Sequence, residues 1–131
     1  MILQTFDPEK VNVIYNGRQL RMFGDDMFTL ARDEASVTLK KGAKGDGTYV
    51  INANKAGKLT VTLQQQSPDV PYLTQCSEKN ICSNLTVIDA NDNGSLLFAQ
   101  KVMVEKMPDK TAGKDTKDVT IVFIIPDLKL Q

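Results

Sequence analysis

The stretch IDANDNGSLLFAQ, residues 88 to 100, sets Asp89, Asn91 and Asn93 at alternate positions and follows them with Gly94. Oxygen ligands at positions one, three and five, then a glycine for the sharp turn, open the calcium loop of an EF-hand. Calcium chemistry needs more than that opening. Position twelve of such a loop is a bidentate glutamate, and here the neutral Gln100 stands in its place. The set then holds one carboxylate, Asp89, too little charge for tight binding. The flanks LTVI and SLLFAQKVMV are strand-like where the motif needs helices. Asn93-Gly94 after Asp92 is instead a hairpin signal, because both residues accept positive φ in a type I′ turn. The stretch predicts a turn between two strands and no metal site.

Other candidate chemistries lack their parts. GAKGDG, residues 42 to 47, has glycines but neither the strand-to-helix setting nor the Gly-Lys-Ser/Thr order of a phosphate loop. Asp25 with Asp26, and Asp33 with Glu34, are adjacent carboxylates in polar turns, the pattern of solvated surface rather than of an acid–base pair. Histidine is absent, which removes the usual general base and the commonest metal ligand. Cys76 and Cys82 are the only cysteines; their spacing matches no zinc pattern, and they read as two reduced structural thiols. The expectation is no enzyme, no catalytic residue, no cofactor and no metal.

The chain has 131 residues, the length of one domain (1–131) with a real core; folding at this size buries roughly two-thirds of the unfolded surface. Sixteen basic and sixteen acidic residues cancel, so no global field points to nucleic acid or membrane. The opening MILQTFDPEK carries Asp7 and Pro8 where a signal peptide places its apolar core, and no apolar run approaches the roughly 18 residues of a membrane span. Synthesis in the cytoplasm, with no membrane partner, is the expectation.

Alternation of apolar and polar residues dominates the chain and predicts half-buried strands. They fall at 11–16, 34–40, 48–53, 58–66, 85–90, 95–106 and 118–125, with a weaker one at 27–31. In 34–40, Ala35, Val37 and Leu39 face away from Glu34, Ser36, Thr38 and Lys40. In 58–66, Leu59, Val61 and Leu63 oppose Thr60, Thr62 and Gln64. One helix, about 68–79, interrupts them: Ser67 is a good N-cap, Pro68 suits the first helical position, and Asp69 complements the positive end of the dipole. Its Val70, Leu73 and Cys76 are placed to pack on a sheet. The polar run 107–117 predicts a long exposed loop. The fold class is mainly β, an antiparallel sandwich or barrel with one α-helix.

The segment INANKAGKLTVTLQQQSPDVPYL (51–73) carries a resemblance. A strand ending in Asn-Ala-x-Lys-Ala-Gly-Lys, a strand of alternating Thr and apolar residues, then Ser-Pro opening a helix, resembles the tail tube proteins of contractile-tailed bacteriophages. The order of elements continues the likeness over most of residues 25–127, through the hairpin and the Lys-Met-Pro at 106–108. The resemblance implies a small structural virion protein, related in fold to the type VI secretion tube protein. It implies hexameric rings of the protein with itself, stacked head to tail into a tail tube for DNA ejection. The implied partners are the tail sheath protein, the baseplate and the tail terminator; tape measure protein and genomic DNA pass through the lumen without sequence-specific binding. Location in the virion tail, after synthesis in the bacterial host cytoplasm, follows from the same likeness. The competing reading is a non-tube baseplate or decoration domain, or another β-sandwich binding module. Carbohydrate recognition of that kind wants exposed aromatic platforms, and aromatics are only 6% with no tryptophan.

Two faces of hydroxyls and amides, on 34–40 and 58–66, suit a channel lining that does not grip its cargo. Charge is locally uneven. Residues 38–58 hold five lysines (Lys40, Lys41, Lys44, Lys55, Lys58) against Asp46, a balance of +4. Residues 24–34 hold Asp25, Asp26, Asp33 and Glu34 against Arg32, a balance of −3. In a stacked assembly the 40–47 loop is expected to reach an adjacent ring and meet Asp25 and Asp26. For the opening motif the expected outcome is negative: micromolar calcium leaves the thermal midpoint where it was, and a saturable rise would restore the metal reading.

Overall fold

In GKLTVTLQ the alternation sets the structure directly. Leu59, Val61 and Leu63 are fully buried while Lys58, Thr60 and Thr62 look outward, as the two-residue period of a strand requires. The computed structural model describes residues 1–91, 94, 96–108 and 117–128. Along the chain lie β1 (Val11–Tyr15), β2 (Arg18–Gln19), β3 (Phe23–Arg32), β4 (Val37–Lys41), β5 (Gly47–Ile51) and β6 (Gly57–Gln64). Helix α1 (Asp69–Glu78) follows, then β7 (Ser83–Asp89), β8 (Leu96–Lys106) and β9 (Asp118–Ile125). Seven strands form one antiparallel sheet in the order β2-β1-β7-β8-β9-β6-β3. Among the described residues β4 and β5 pair only with each other.

The long sheet becomes a sandwich at β8. Leu97 and Ala99 point inward, and the next inward residues are Val102 and Val104, so one extra residue is inserted between them. Its opposite strand steps by two, Ser83 to Leu85, where β8 steps by three. Lys101 absorbs the insertion with φ +59°, the signature of a β-bulge. Residues 96–99 and Val102 of β8 pair with β7, and from Met103 onward β8 pairs with β9. One layer is therefore β2, β1, β7 and the first half of β8; the other is the second half of β8, β9, β6 and β3. The sheet ends at β2 and β3 without closing, so of the sandwich and barrel expectations the sandwich holds.

Between the layers Tyr15 meets Phe123 at 4.9 Å between ring centroids. Both rings are fully buried, and each contributes on the order of 1.5–3 kcal/mol through lost apolar exposure. The Tyr15 hydroxyl lies 3.0 Å from both the Ile81 and Val102 carbonyl oxygens. It thereby ties the segment after α1 to the strand beside the bulge.

Helix α1 covers one end, with Leu73 and Cys76 buried and Val70 packed against the same core. Its start differs from the expectation in an informative way. Pro68 occupies the cap position, and the Ser67 hydroxyl accepts from the Asp69 N–H at 3.3 Å while donating to the Arg21 carbonyl at 2.7 Å. Asp69 does more than complement the dipole. Its carboxylate is fully buried, accepting from Arg18 Nε and from the Arg21 backbone N–H at 2.7 Å. The Arg18 guanidinium in turn lies 4.6 Å above the Tyr72 ring.

The strand that supplies Arg18 was not expected. β2 exists because Asn16 and Gly17 take φ +54° and +79°, a two-residue type I′ turn that brings Arg18 opposite Tyr15. Two further boundaries move: the weak 27–31 strand is the ten-residue β3, and the 34–40 strand starts at Val37 after a turn. Most of the expected 107–117 loop lies outside the described residues. Among those described, no helix is long and apolar enough to cross a membrane.

Two outcomes follow from these contacts. Asp69→Ala leaves the Arg21 N–H and the Arg18 cation without their acceptor and costs about 3 kcal/mol; an unchanged urea midpoint would show that the buried carboxylate holds nothing. Burial pushes the Tyr15 phenol up to about 12, with Cys76, Cys82 and Tyr72 adding to the rise. In the unfolded chain that proton leaves near 10, so the folded state is the one that holds it. Stability is then full below about pH 10 and falls towards pH 12, by up to about 2–3 kcal/mol. Tyr15→Phe should flatten that part of the alkaline profile, and identical slopes in the two proteins would count against the buried phenol.

Candidate functional site

The residues first suspected of chemistry serve as structure. Asp89 Oδ1 accepts from the Asn91 backbone N–H at 3.0 Å and from its side-chain amide at 2.8 Å. Asn91 reaches across to the N-terminal segment, accepting from the Asp7 N–H at 2.8 Å and donating to the Asp7 carbonyl at 3.1 Å. The strands on either side, β7 and β8, pair antiparallel, so the stretch is the expected hairpin connection; Asn93 itself lies outside the described residues. Among the described residues no group of three His, Cys, Asp or Glu side chains is placed to hold a metal. Cys76 is buried, Cys82 is exposed, and both are free thiols.

GAKGDG forms the turn between β4 and β5. The Gly42 N–H donates to the Asp46 carbonyl at 2.8 Å, and Gly45 takes φ +90°, a conformation that suits glycine. Glu34 accepts from the Asn52 side-chain amide at 2.6 Å, and Arg32 donates to the Ser36 hydroxyl and the Leu128 carbonyl. These bonds fix the root of the β4–β5 hairpin. Glu34 thus bonds across the base of the hairpin, and the neighbouring Asp33 N–H donates to the Ala56 carbonyl at 3.1 Å.

What remains unpartnered is surface that could join copies. The β4–β5 arm has no residue buried. Its register puts Val37 opposite Ile51 and Leu39 opposite Tyr49 on one face, with Thr38, Val50, Lys40 and Thr48 on the other. Tyr49 is 74% and Ile51 75% exposed. The apolar stripe read from the sequence is there, but it faces solvent, because the arm projects from the sandwich instead of joining it. The two predicted hydroxyl faces consequently lie on different sheets.

The outward faces of the two layers differ in kind. On the second layer Thr29 stands beside Thr60, Thr62 beside Thr120, and Lys58 pairs with Glu105 at 3.2 Å; Val122 and Ile124 continue the row. On the first layer Ile14, Ile88, Leu96 and Phe98 line up with Thr86 and Asn12. At its ends the sheet stops at two unlike edges, the short β2 beside β1 and the long β3.

The family model described as the bacteriophage PhiTE tail tube protein matches residues 16–130. The chain belongs to that family. It is therefore a tail-tube-type structural protein of the virion tail, and the resemblance carried by residues 51–73 holds. No curated protein matches its sequence. Solved structures extend the likeness at the level of fold. The tube-terminating cap of the anti-feeding prophage superposes with TM-score 0.65 at 8% identity, covering 100% of this chain and 93% of that one. A chain of the sheath–tube complex of the extracellular contractile injection system PVC gives TM-score 0.63 at 10% identity, covering 97% and 91%. Its sheath/tube terminator gives 0.65 at 10%, covering 100% and 99%. In this tail tube family member the surfaces left exposed by the fold include the arm and the outward faces of both layers.

Proposed function

We propose that the protein acts as one domain, without enzymatic activity, and forms hexameric rings that stack head to tail as the tail tube through which DNA is ejected. The observation that carries this reading is the open sheet with two unlike edges. Each edge presents unpaired backbone N–H and C=O groups, which in a monomer invite pairing with another chain. Unlike edges favour a heterologous contact, β3 of one copy against β1–β2 of the next, and such contacts repeat until a ring closes.

The difference between the outward faces supports the choice of lining. A lumen must let phosphates and bases pass. Lysines aimed into it would retain phosphate, and exposed aromatic rings would stack bases. The second layer offers threonines and a neutralised Lys58–Glu105 pair, so it suits the lumen; the first, with Phe98 52% exposed, suits packing against protein. The tail sheath protein, baseplate and terminator would then meet the outside and ends of the tube, and tape measure protein and genomic DNA its interior. Synthesis in the bacterial host cytoplasm precedes assembly into the tail. A second reading, a ring that caps or terminates a tube, is supported by the cap and terminator likenesses.

Electron microscopy of the purified protein separates these. Tubes of many rings favour the tube role, single rings the terminator role, and monodisperse monomers neither. The sheet edge is tested by proline at Thr29 and, separately, at Leu30. Adjacent strand residues direct their N–H groups to opposite sides, so one of the two prolines spares the β3–β6 ladder and leaves the thermal midpoint nearly intact. That variant should fail to form rings. If it closes rings as well as wild type, β3 is not the joining edge.

A further inference from the structure

The arm's exposed apolar face has a counterpart on the same molecule. β3 loses register with β6 between Phe23 and Phe28, and this part of β3 lines a groove of about 690 Å³ together with Val11 and the N-terminal segment. Phe6, Val11, Phe23, Met27 and Phe28 form its apolar lining. Its rim carries Glu9, Asp25 and Asp26, all exposed, and its lining includes no basic residue. The arm, residues 37–51, carries Lys40, Lys41 and Lys44 against Asp46 alone, a balance of +2.

We infer that the groove receives the β4–β5 arm of a second copy of this chain. Val37, Leu39, Tyr49 and Ile51 would enter the apolar floor, while the arm's lysines meet the acidic rim. Three features point to this occupant. The apolar face of the arm is exposed, the groove leaves Phe6 exposed and Phe23, Met27 and Phe28 only half-buried, and both surfaces are bordered by charge, of opposite sign. A two-stranded hairpin is marginal in water by itself, so an arm with no buried residue gains most from a cover. A contact that joins one surface patch to a different patch leaves each copy with a free arm and a free groove, and so propagates head to tail. The inference rests on the tube reading and adds to it the receiving site and its residues.

The test uses the full chain with Cys82→Ser, leaving only the buried Cys76. One preparation carries Met27→Cys in the groove, another Leu39→Cys on the arm. When the two are mixed under assembling conditions and oxidised, a disulfide-linked dimer containing both should form. Reversal of Lys40, Lys41 and Lys44 to Glu should reduce the stacked fraction about tenfold at low salt, and reversal of Asp25 and Asp26 to Lys in the same chain should restore it. Tubes of ordinary length without the mixed dimer, or without sensitivity to the lysine reversal, would overturn the groove and leave the tube reading standing. A wild-type protein that stays monomeric at every concentration would overturn both.

Discussion

One strand belongs to two layers, and the rest of the fold depends on how it manages that. β8 is held to β7 as far as Val102, just past the bulge, and to β9 from Met103 on. A β-bulge bends the strand that carries it and sharpens its local twist, and that bend turns β8 from one layer into the other. The bulge inserts one residue and resets the parity. Left-handed backbone at a lysine costs about 1–2 kcal/mol, and the cost is offset by burial of Val102 and Val104 on the far side, each worth on the order of 1.5 kcal/mol or more. Tyr15 then locks the corner, since its hydroxyl reaches the Val102 carbonyl and its ring rests on Phe123.

This dependence explains why some of the fold was legible in the sequence and some was not. Strands whose apolar residues enter the core, such as Leu59-x-Val61-x-Leu63 and Ile121-x-Phe123-x-Ile125, showed their period plainly and lie within a residue or two of where alternation places them. The helix announced itself through Ser67-Pro68-Asp69. β8 looked like one uninterrupted strand from 95 to 106, because Gln100 and Lys101 are both polar and a parity change between them leaves no mark in hydropathy. β2 was missed although Asn16-Gly17 is as strong a turn signal as Asn93-Gly94. Its strand has only two residues, too few to show a period, and what fixes it is the distant Asp69, an interaction that local sequence does not encode.

The candidate surfaces were half legible for a related reason. Alternation in VTLKK and GTYVI reveals an apolar stripe, but an apolar stripe means only that something covers it. In β6 the cover is the chain's own core; in β4 and β5 the chain supplies none. Pattern analysis assigns both to a sandwich interior, and only the three-dimensional placement separates them. An exposed apolar stripe on a strand pair is an aggregation hazard in a monomer. Lysines along the arm, and the Arg32, Glu34 and Asn52 bonds that fix its root, limit which partners and which angles the stripe can accept.

Net charge illustrates the same point from the electrostatic side. A balance of zero excludes a global field and, taken alone, suggests that electrostatics matters little here. A polymer of identical units nevertheless needs zero or modest net charge, because every added subunit repeats whatever the last one carried and self-repulsion accumulates along the tube. What it needs locally is the reverse, two patches of opposite sign at unlike ends, since a heterologous joint presents different surfaces to each other. The +4 of residues 38–58 and the −3 of residues 24–34 supply that separation within one neutral chain. Lys58 is the exception that sharpens the argument: it lies on the outward face of the second layer, and there it is paired with Glu105 at 3.2 Å. In the proposed tube, positive charge would stay available on the arm for a neighbouring subunit and be neutralised on the face proposed to meet a passing polyanion.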